Sequence, residues 1–346
     1  VHAYAAVTIA LTALAAAFCY LCATLVVPRP LAAASAFALT TNAVVWWHGA
    51  VIASYLAWLV ALPAIGWFGV RFARHRRGGD LVGASLALGL GMMLRQDLLA
   101  FGTPLWLGCL WLGRAPAKGW LIGGAIVAAA CACWFFGTAA VLGGVGVYLG
   151  RVHAKHAGDL EGFSVFHRGL VEGLLRNGSK YLLFLAWAAH LVLLPFLAGV
   201  AGAVREVRRT WPVLLLGLLW VGPSWYFSLV IFAGNAGLIF PFLPLVYIGA
   251  AYGLRRWFGD CRRWPPVAVL VLLGLVSVAQ FAGAPLLREI HQRDVILNVM
   301  FLKYSGAGLR ARYNYNLDDY GVAPALASVV RQLRAPEPIP AVPPAN

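Results

Sequence analysis

Charge is what this chain has least of. Of its 346 residues only 11% are charged, and just 12 are Asp or Glu. A soluble domain carries about 25% charged residues. With 62% hydrophobic residues and 14 Trp, the composition excludes an ordinary soluble core and specifies a polytopic membrane protein. Catalytic signatures are missing too. The sequence holds no P-loop, zinc motif, nucleophile elbow or dinucleotide fingerprint, and no internal repeat of the kind that builds inverted-repeat transporters. The six cysteines lie mostly inside apolar runs, and Cys131 and Cys133 are one residue too close for a zinc or redox pair. They read as small buried hydrophobes, without a disulfide framework.

Ten apolar segments are present, at about 3–27, 31–47, 50–70, 81–94, 98–113, 119–141, 181–204, 211–233, 237–254 and 265–284. The predicted fold is therefore all-α: a polytopic transmembrane helix bundle of about ten membrane segments, two of them short, with an amphipathic exterior loop. The net charge of +15 does not point to nucleic acid, because the basic residues are confined to short connections. Fourteen of them fall in five loops: Arg29; Arg71, Arg74, Arg76 and Arg77; Arg114 and Lys118; Arg205, Arg208 and Arg209; Arg255, Arg256, Arg262 and Arg263. The alternating short loops hold only Arg95. Under the positive-inside rule the five basic loops face the cytoplasm, which puts both ends of the chain outside a plasma membrane. The chain starts at Val1 and has no signal-peptide pattern. An outside N-terminus without a leader predicts an N-terminally truncated chain with an earlier helix upstream.

The polar residues that matter lie on the outer side. In Gly89-Leu-Gly-Met-Met-Leu-Arg-Gln-Asp-Leu-Leu99, the triplet Arg95, Gln96 and Asp97 separates two apolar stretches too short to span comfortably. A charge buried in lipid costs about 2.5–3.5 kcal/mol even on the lenient insertion scale. The triplet is thus a solvated hairpin tip or a polar floor for an anionic ligand, and Arg95 and Asp97 can partly serve each other. At the first outer turn, Trp46 and Trp47 suit headgroup anchoring, and His48 is a candidate phosphate or carboxylate ligand. In the outer loop 143–180, Gly143, Gly144 and Gly146 break the preceding helix. Arg151, His153, Lys155 and His156 then form a basic cluster with Asp159 and Glu161 as the nearest carboxylates. A short amphipathic helix over 163–175 is expected to lie on the membrane. That loop either docks to anionic lipid or clamps a lipid phosphate. Asn235 is the polar side chain of the turn that feeds Pro241 and Pro244. The domain boundary is expected at 284/285. Beyond it, 285–346 reads as the start of an exterior segment with an amphipathic stretch at 324–333 and a proline-rich end. Asp318 and Asp319 are a weak metal signal there.

Four pieces resemble the GT-C class of multi-spanning glycosyltransferases, specifically the bacterial branch of the dolichyl-phosphate-mannose protein mannosyltransferase family that includes the aminoarabinose transferases. They are Asn42-Ala-Val-Val-Trp-Trp-His-Gly-Ala50, the 89–99 stretch, Asn235-Ala-Gly-Leu-Ile-Phe-Pro-Phe-Leu-Pro244, and Ala307-Gly-Leu-Arg-Ala-Arg312. The resemblance implies a sugar carried on a polyprenyl phosphate at the outer membrane surface. It implies a first-exterior-loop carboxylate acting as general base or as metal-linked orienter of the acceptor, so a divalent metal belongs to the expectation for the full-length protein only. Cations would neutralise the departing phosphate. By position Arg95 corresponds to the family's basic residue at the helix break, with Asp97 orienting it or touching the sugar. Gln96, His48, Arg151, His153, Lys155, His156 and Asn235 complete the candidate binding set. The family's carboxylate is expected upstream of Val1, so the chain as given is not expected to catalyse. Two rival readings stay open. A transporter or flippase would need a polar path, for which Gln280 and His190 are the main mid-span groups. A non-catalytic scaffold would be marked by a co-purifying partner.

Overall fold

Helix boundaries follow the prolines and glycines. In a computed structural model, residues 2–42, 44–46, 53–231, 236–259 and 264–283 are described, and every element among them is helical. Helix α1 (His2–Ala23) stops before Pro28, whose extended backbone starts α2 (Arg29–Thr40) with Pro30 in its first turn. A 3-10 turn at Ala53–Tyr55 leads into α3 (Leu56–His75), closed by Arg76 in the left-handed region with its N–H on the Phe72 carbonyl. Then come α4 (Gly78–Leu94), α5 (Leu98–Leu112) and α6 (Ala117–Val141). Gly143 (φ 93°) and Gly144 (φ 117°) end α6, as the glycine run predicts. They lead to α7 (Val145–Phe163), the single turn α8 (Val165–Arg168) and α9 (Leu170–Ala189). Helices α10 (Leu193–Arg205) and α11 (Val207–Tyr226) follow, and α11 runs into a π-helical turn at Phe227–Ile231. A 3-10 turn at Ala236–Ile239 precedes α12 (Leu243–Phe258), and α13 (Trp264–Gly283) closes the described part.

Helices are found among the described residues of all ten apolar segments, but the count of ten spans is not confirmed. Among the described residues four helices are long and apolar enough to cross a bilayer: Ala6–Ala23, Leu56–His75, Ala117–Val141 and Val207–Ile231. A fifth is a bent pair, Leu170–Ala186 with His190–Arg205, which turns by 98°. This corrects the reading of 181–204 as one straight segment. The turn sits at His190, whose φ of 35° ends the helix without a glycine or proline. The expected short helix over 163–175 is also revised. Gly169, at φ 88°, splits it into α8 and the start of α9. Val1–Gln280 forms one unit and Phe281–Asn346 another. The exterior segment expected over 285–346, with Asp318 and Asp319, lies outside the described residues, as do Trp47 and Cys261.

Small residues let the bundle close. Helices α10 and α12 cross where Gly199 meets Gly249 and Gly253, and Gly202 lies against the Arg256 side chain. A methyl group at Gly253 would overlap the Pro195 carbonyl oxygen. Gly249 and Gly253 are four apart, the spacing at which helix backbones approach most closely in membranes. The buried core is aliphatic and aromatic, centred on α3, with Trp58, Leu59, Leu62 and Ile65 fully buried. By contrast only Gly119, Gly123 and Ala139 of α6 are buried, so most of its apolar surface faces outward, as that of a lipid-facing helix does.

The five basic connections gather at one end. Arg74 Nη2 donates to the Leu25 carbonyl (3.4 Å), and Arg255 Nη1 to the Val26 carbonyl (3.1 Å). Both satisfy acceptors that the end of α1 leaves open. Arg256 pairs with Glu206 at 2.6 Å. The Phe72 ring lies against Gly113, at the turn before Arg114. The break at Arg95 and the turn at Asn42 lie at the far ends of these helices.

Candidate functional site

Arg95 opens the three-residue break, Arg95 to Asp97, that separates α4 from α5. Its backbone is extended (φ −153°, ψ 113°), and its N–H still bonds the Gly91 carbonyl at 2.9 Å. Asp97 immediately precedes α5, and its carbonyl accepts from the Phe101 N–H at 2.9 Å. The expected exchange between the two charges is present: Arg95 Nε lies 3.0 Å from both Asp97 carboxylate oxygens. The Trp58 indole N–H donates to the same carboxylate at 3.0 Å. Gln96 is exposed.

Two aromatic rings complete the setting. The Arg95 guanidinium carbon lies 4.1 Å from the Tyr55 ring centre and 4.0 Å from that of Trp58. Those rings are 5.4 Å apart and inclined at 70°, so the cation sits in a corner between them. Cation–π contacts of this kind contribute about 0.5–2 kcal/mol each as water is excluded. The wall continues from Phe240 through Tyr55, Trp58 and Phe101 to Phe227 in the π-helical turn. Ser54 Oγ lies 3.5 Å from Nη1, and no hydrogen bond to Nη2 is present among the described residues. The outer edge of the fork thus keeps most of its donor capacity.

The turn at 236–239 borders this corner. Gly237 is pressed against the Tyr55 ring so closely that a Cβ would come 2.7 Å from it. The Pro241 carbonyl is satisfied by the Trp220 indole at 2.7 Å, the kind of neighbour that a double-proline start requires. Two stretches far apart in the sequence, 89–99 and 235–244, are thus brought together around Tyr55.

A second polar centre is Asn42, which is fully buried. Its Oδ1 accepts from the Val44 N–H (2.9 Å) and the Val45 N–H (3.3 Å). Its Nδ2 donates to the Tyr247 hydroxyl (2.8 Å) and to the Ala188 carbonyl. One side chain therefore caps the outer turn and ties α9 to α12. The Trp46 indole donates to the Thr40 carbonyl at the end of α2, so this exposed ring also caps a helix.

The rest of the candidate set is not drawn to Arg95. Arg151 and His153 are exposed on α7, and no hydrogen bond or ion pair links either to Arg95 among the described residues. Lys155 and His156 lie on the same helix. The expectation of a loop cluster is corrected to one turn-and-a-half of helix. His48 and Asn235 lie outside the described residues. Sequence reasoning missed Ser54, Tyr55 and Trp58, although two aromatics three apart beside an outer turn would have been the signal. It also missed Asn177 and Lys180 on α9. Among the described residues no three His, Cys, Asp or Glu side chains come together, so no donor set there fits a divalent metal.

No protein-family model matches the chain, and comparison with curated proteins and with solved structures returns no relative.

Proposed function

We propose that this chain is the membrane part of a glycosyltransferase that moves a sugar from a polyprenyl-phosphate carrier to an acceptor, and that Arg95 meets the carrier's phosphate. The observation that carries this reading is the way Arg95 is held. Asp97 fixes its Nε side and two rings fix its position, while Nη1 has only a long 3.5 Å contact to Ser54 and Nη2 has no hydrogen bond among the described residues. A planar fork presented in this way suits two parallel hydrogen bonds to phosphate.

In the reaction the acceptor oxygen attacks the anomeric carbon, and the carbon–oxygen bond to phosphate breaks. The bonding pair leaves with the phosphate, so negative charge grows there. A fixed cation in a water-poor corner stabilises that charge without reorganising. The acceptor proton passes to a base that the described residues do not supply, because Asp97 is committed to Arg95 and Trp58. The positive-inside rule supports a cytoplasmic side for the end with the five basic connections, and with it an exterior side of a plasma membrane for Arg95. A carrier phosphate is also found at a membrane surface.

The test is binding of a C55 polyprenyl monophosphate to the chain in nanodiscs. Arg95→Gln is expected to weaken binding at least tenfold while the chain stays folded. Where sugar transfer itself is assayed, Arg95→Ala is expected to abolish it. Unchanged affinity and normal transfer in these variants would overturn the assignment.

A further inference from the structure

Four tryptophans use their indole N–H within the protein. Trp46 donates to the Thr40 carbonyl, Trp58 to Asp97, Trp106 to Ser85 and Trp220 to the Pro241 carbonyl. Trp111 and Trp211 differ. They are 61% and 45% exposed, and neither indole N–H has a hydrogen bond among the described residues. Trp111 lies in the last turn of α5 and Trp211 in the first turn of α11. Their rings meet edge to face, 6.4 Å between centres and inclined at 67°. The packing beneath holds them there. Gly108 lies so close to Leu219 and Leu216 of α11 that a Cβ would not fit. The start of α11 is fixed by Thr210, whose hydroxyl donates to the Ala203 carbonyl (2.5 Å) and the Glu206 carbonyl (3.0 Å).

Charge lies on one side of this ring pair and apolar surface on the other. Arg208 is three residues before Trp211 on the same helix, so the two share a face. Arg114 is three residues after Trp111, in a left-handed turn (φ 47°) whose N–H bonds the Trp111 carbonyl at 2.9 Å. Both arginines are exposed, and neither side chain has a hydrogen bond or ion pair among the described residues. Arg209 adds charge beside Arg208, and the neighbouring carboxylate, Glu206, is already paired with Arg256 at 2.6 Å. In the other direction Leu107 lies one turn from Trp111, and Leu218 lies two turns from Trp211. Both are exposed.

Water accounts for exposed arginines, but not for the layers beside them. A soluble anion would engage the guanidinium groups and leave the indoles and leucines bare. A phospholipid matches all three layers. Its phosphate meets the cations, its ester oxygens accept from the indoles, and its acyl chains lie along the leucines. We propose that the seam between α5 and α11 at the basic end is a binding site for one anionic phospholipid, with Arg114 and Arg208 on its phosphate and Trp111 and Trp211 at its glycerol level. The site is at the opposite end of α5 from Arg95 and is independent of the phosphate reading there.

The chain in dodecyl maltoside, titrated with phosphatidylglycerol or with phosphatidylcholine of the same acyl chains and followed by native mass spectrometry, provides the test. The wild type is expected to hold its first phosphatidylglycerol at least about fivefold more tightly than its first phosphatidylcholine. Arg114→Gln with Arg208→Gln is expected to weaken phosphatidylglycerol binding at least about fivefold, to the phosphatidylcholine level, and each single variant to show part of that loss. Trp111→Leu with Trp211→Leu keeps the charges and is expected to weaken both lipids about threefold. Arg29→Gln with Arg77→Gln removes two exposed cations of the same end, at the starts of α2 and α4, and is expected to stay within about twofold of the wild type. Equal losses in the two arginine pairs would reduce the preference to overall charge and overturn the site. Wild-type affinity in the Arg114 and Arg208 variants would overturn it too. Full competition by millimolar inorganic phosphate would do the same, because a soluble anion has no acyl chains to place on the leucines.

Discussion

The two ends of the bundle use the same residue types for different ends. At the basic end, cations bond to whatever a helix terminus leaves open. Arg74 and Arg255 take the carbonyls of Leu25 and Val26, Arg71 pairs with Asp80 at 3.0 Å, and Arg256 pairs with Glu206. Several of these groups stay in reach of water, and what they have in common is their end of the bundle. At the other end the polar groups are few and enclosed. Asn42 and Lys180 are buried, and Arg95 lies in a corner of two rings. The difference teaches how to weigh charge here. A cation at the basic end is one of fourteen that the positive-inside rule counts together, whereas a polar group at the other end has specific partners and no substitute.

The comparison predicts a steep gradient of mutational cost, and Asn42 stands at its top. Asn42→Leu removes four hydrogen bonds at once and leaves the Val44 and Val45 N–H groups, the Tyr247 hydroxyl and the Ala188 carbonyl without this partner. Each unsatisfied buried group costs about 1–3 kcal/mol, so the variant is expected to lose at least about 3 kcal/mol. Thermal unfolding in detergent checks it. A melting point within a degree or two of the wild type would show that the enclosed end is no more sensitive than the basic one.

Asp97→Ala comes next. It strips the carboxylate from a cation that is only 19% exposed at its side chain. Breaking a fully buried pair costs about 3–5 kcal/mol, and the 32% exposure of Asp97 reduces this to about 2 kcal/mol. The double variant Asp97→Ala, Arg95→Met is expected to recover part of the loss, because no unpaired charge is left. A double variant less stable than Asp97→Ala alone would remove the ion pair from the explanation.

Much of this architecture is legible in the sequence, for physical reasons that also mark where legibility ends. Apolar length and glycine or proline punctuation are local, so the helices, the break at Gly143 and Gly144, and the polar interruption at Arg95–Asp97 can be read directly. Loop charge is local as well, which is why the five basic connections can be grouped before any contact is known. The bend at His190 is not local. The segment 181–204 has Pro195 and Gly199 further on, but nothing at 190 that breaks a helix. The end of α9 is instead held from outside, by Asn42 at Ala188. The corner around Arg95 depends in the same way on Tyr55 and Trp58, about forty residues upstream. Lys180 reads as the end of a loop until the helix around it shows which way it faces.

Returning to the basic end, Arg255→Met removes one 3.1 Å bond to the Val26 carbonyl. The expected loss is about 1 kcal/mol, the ordinary net worth of a hydrogen bond from a charged donor that stays near water. Its effect on orientation should be nil, since the other basic residues keep the same side. Cysteine-accessibility mapping of the 71–77 and 205–209 connections would detect an inversion, and any inversion would contradict the reading of these cations as a redundant set.

The smallest effect belongs to Glu206, and it is best seen through pH. The Arg256 guanidinium donates to its carboxylate and holds it below the usual carboxylate range. A group whose folded pKa is depressed stabilises the fold above its unfolded pKa, near 4.3 for Glu, and that contribution disappears as the pH falls through the lower folded value. Both side chains are open to water, so the effect is small and screened by salt. Wild type and Glu206→Gln should therefore differ slightly in melting point at pH 7 and low salt. The gap should close below pH 4 and also at pH 7 in high salt. A gap that widens on acidification would mean that the Glu206 carboxylate repels its surroundings in the fold, and the basic end would then be held by something other than its ion pairs.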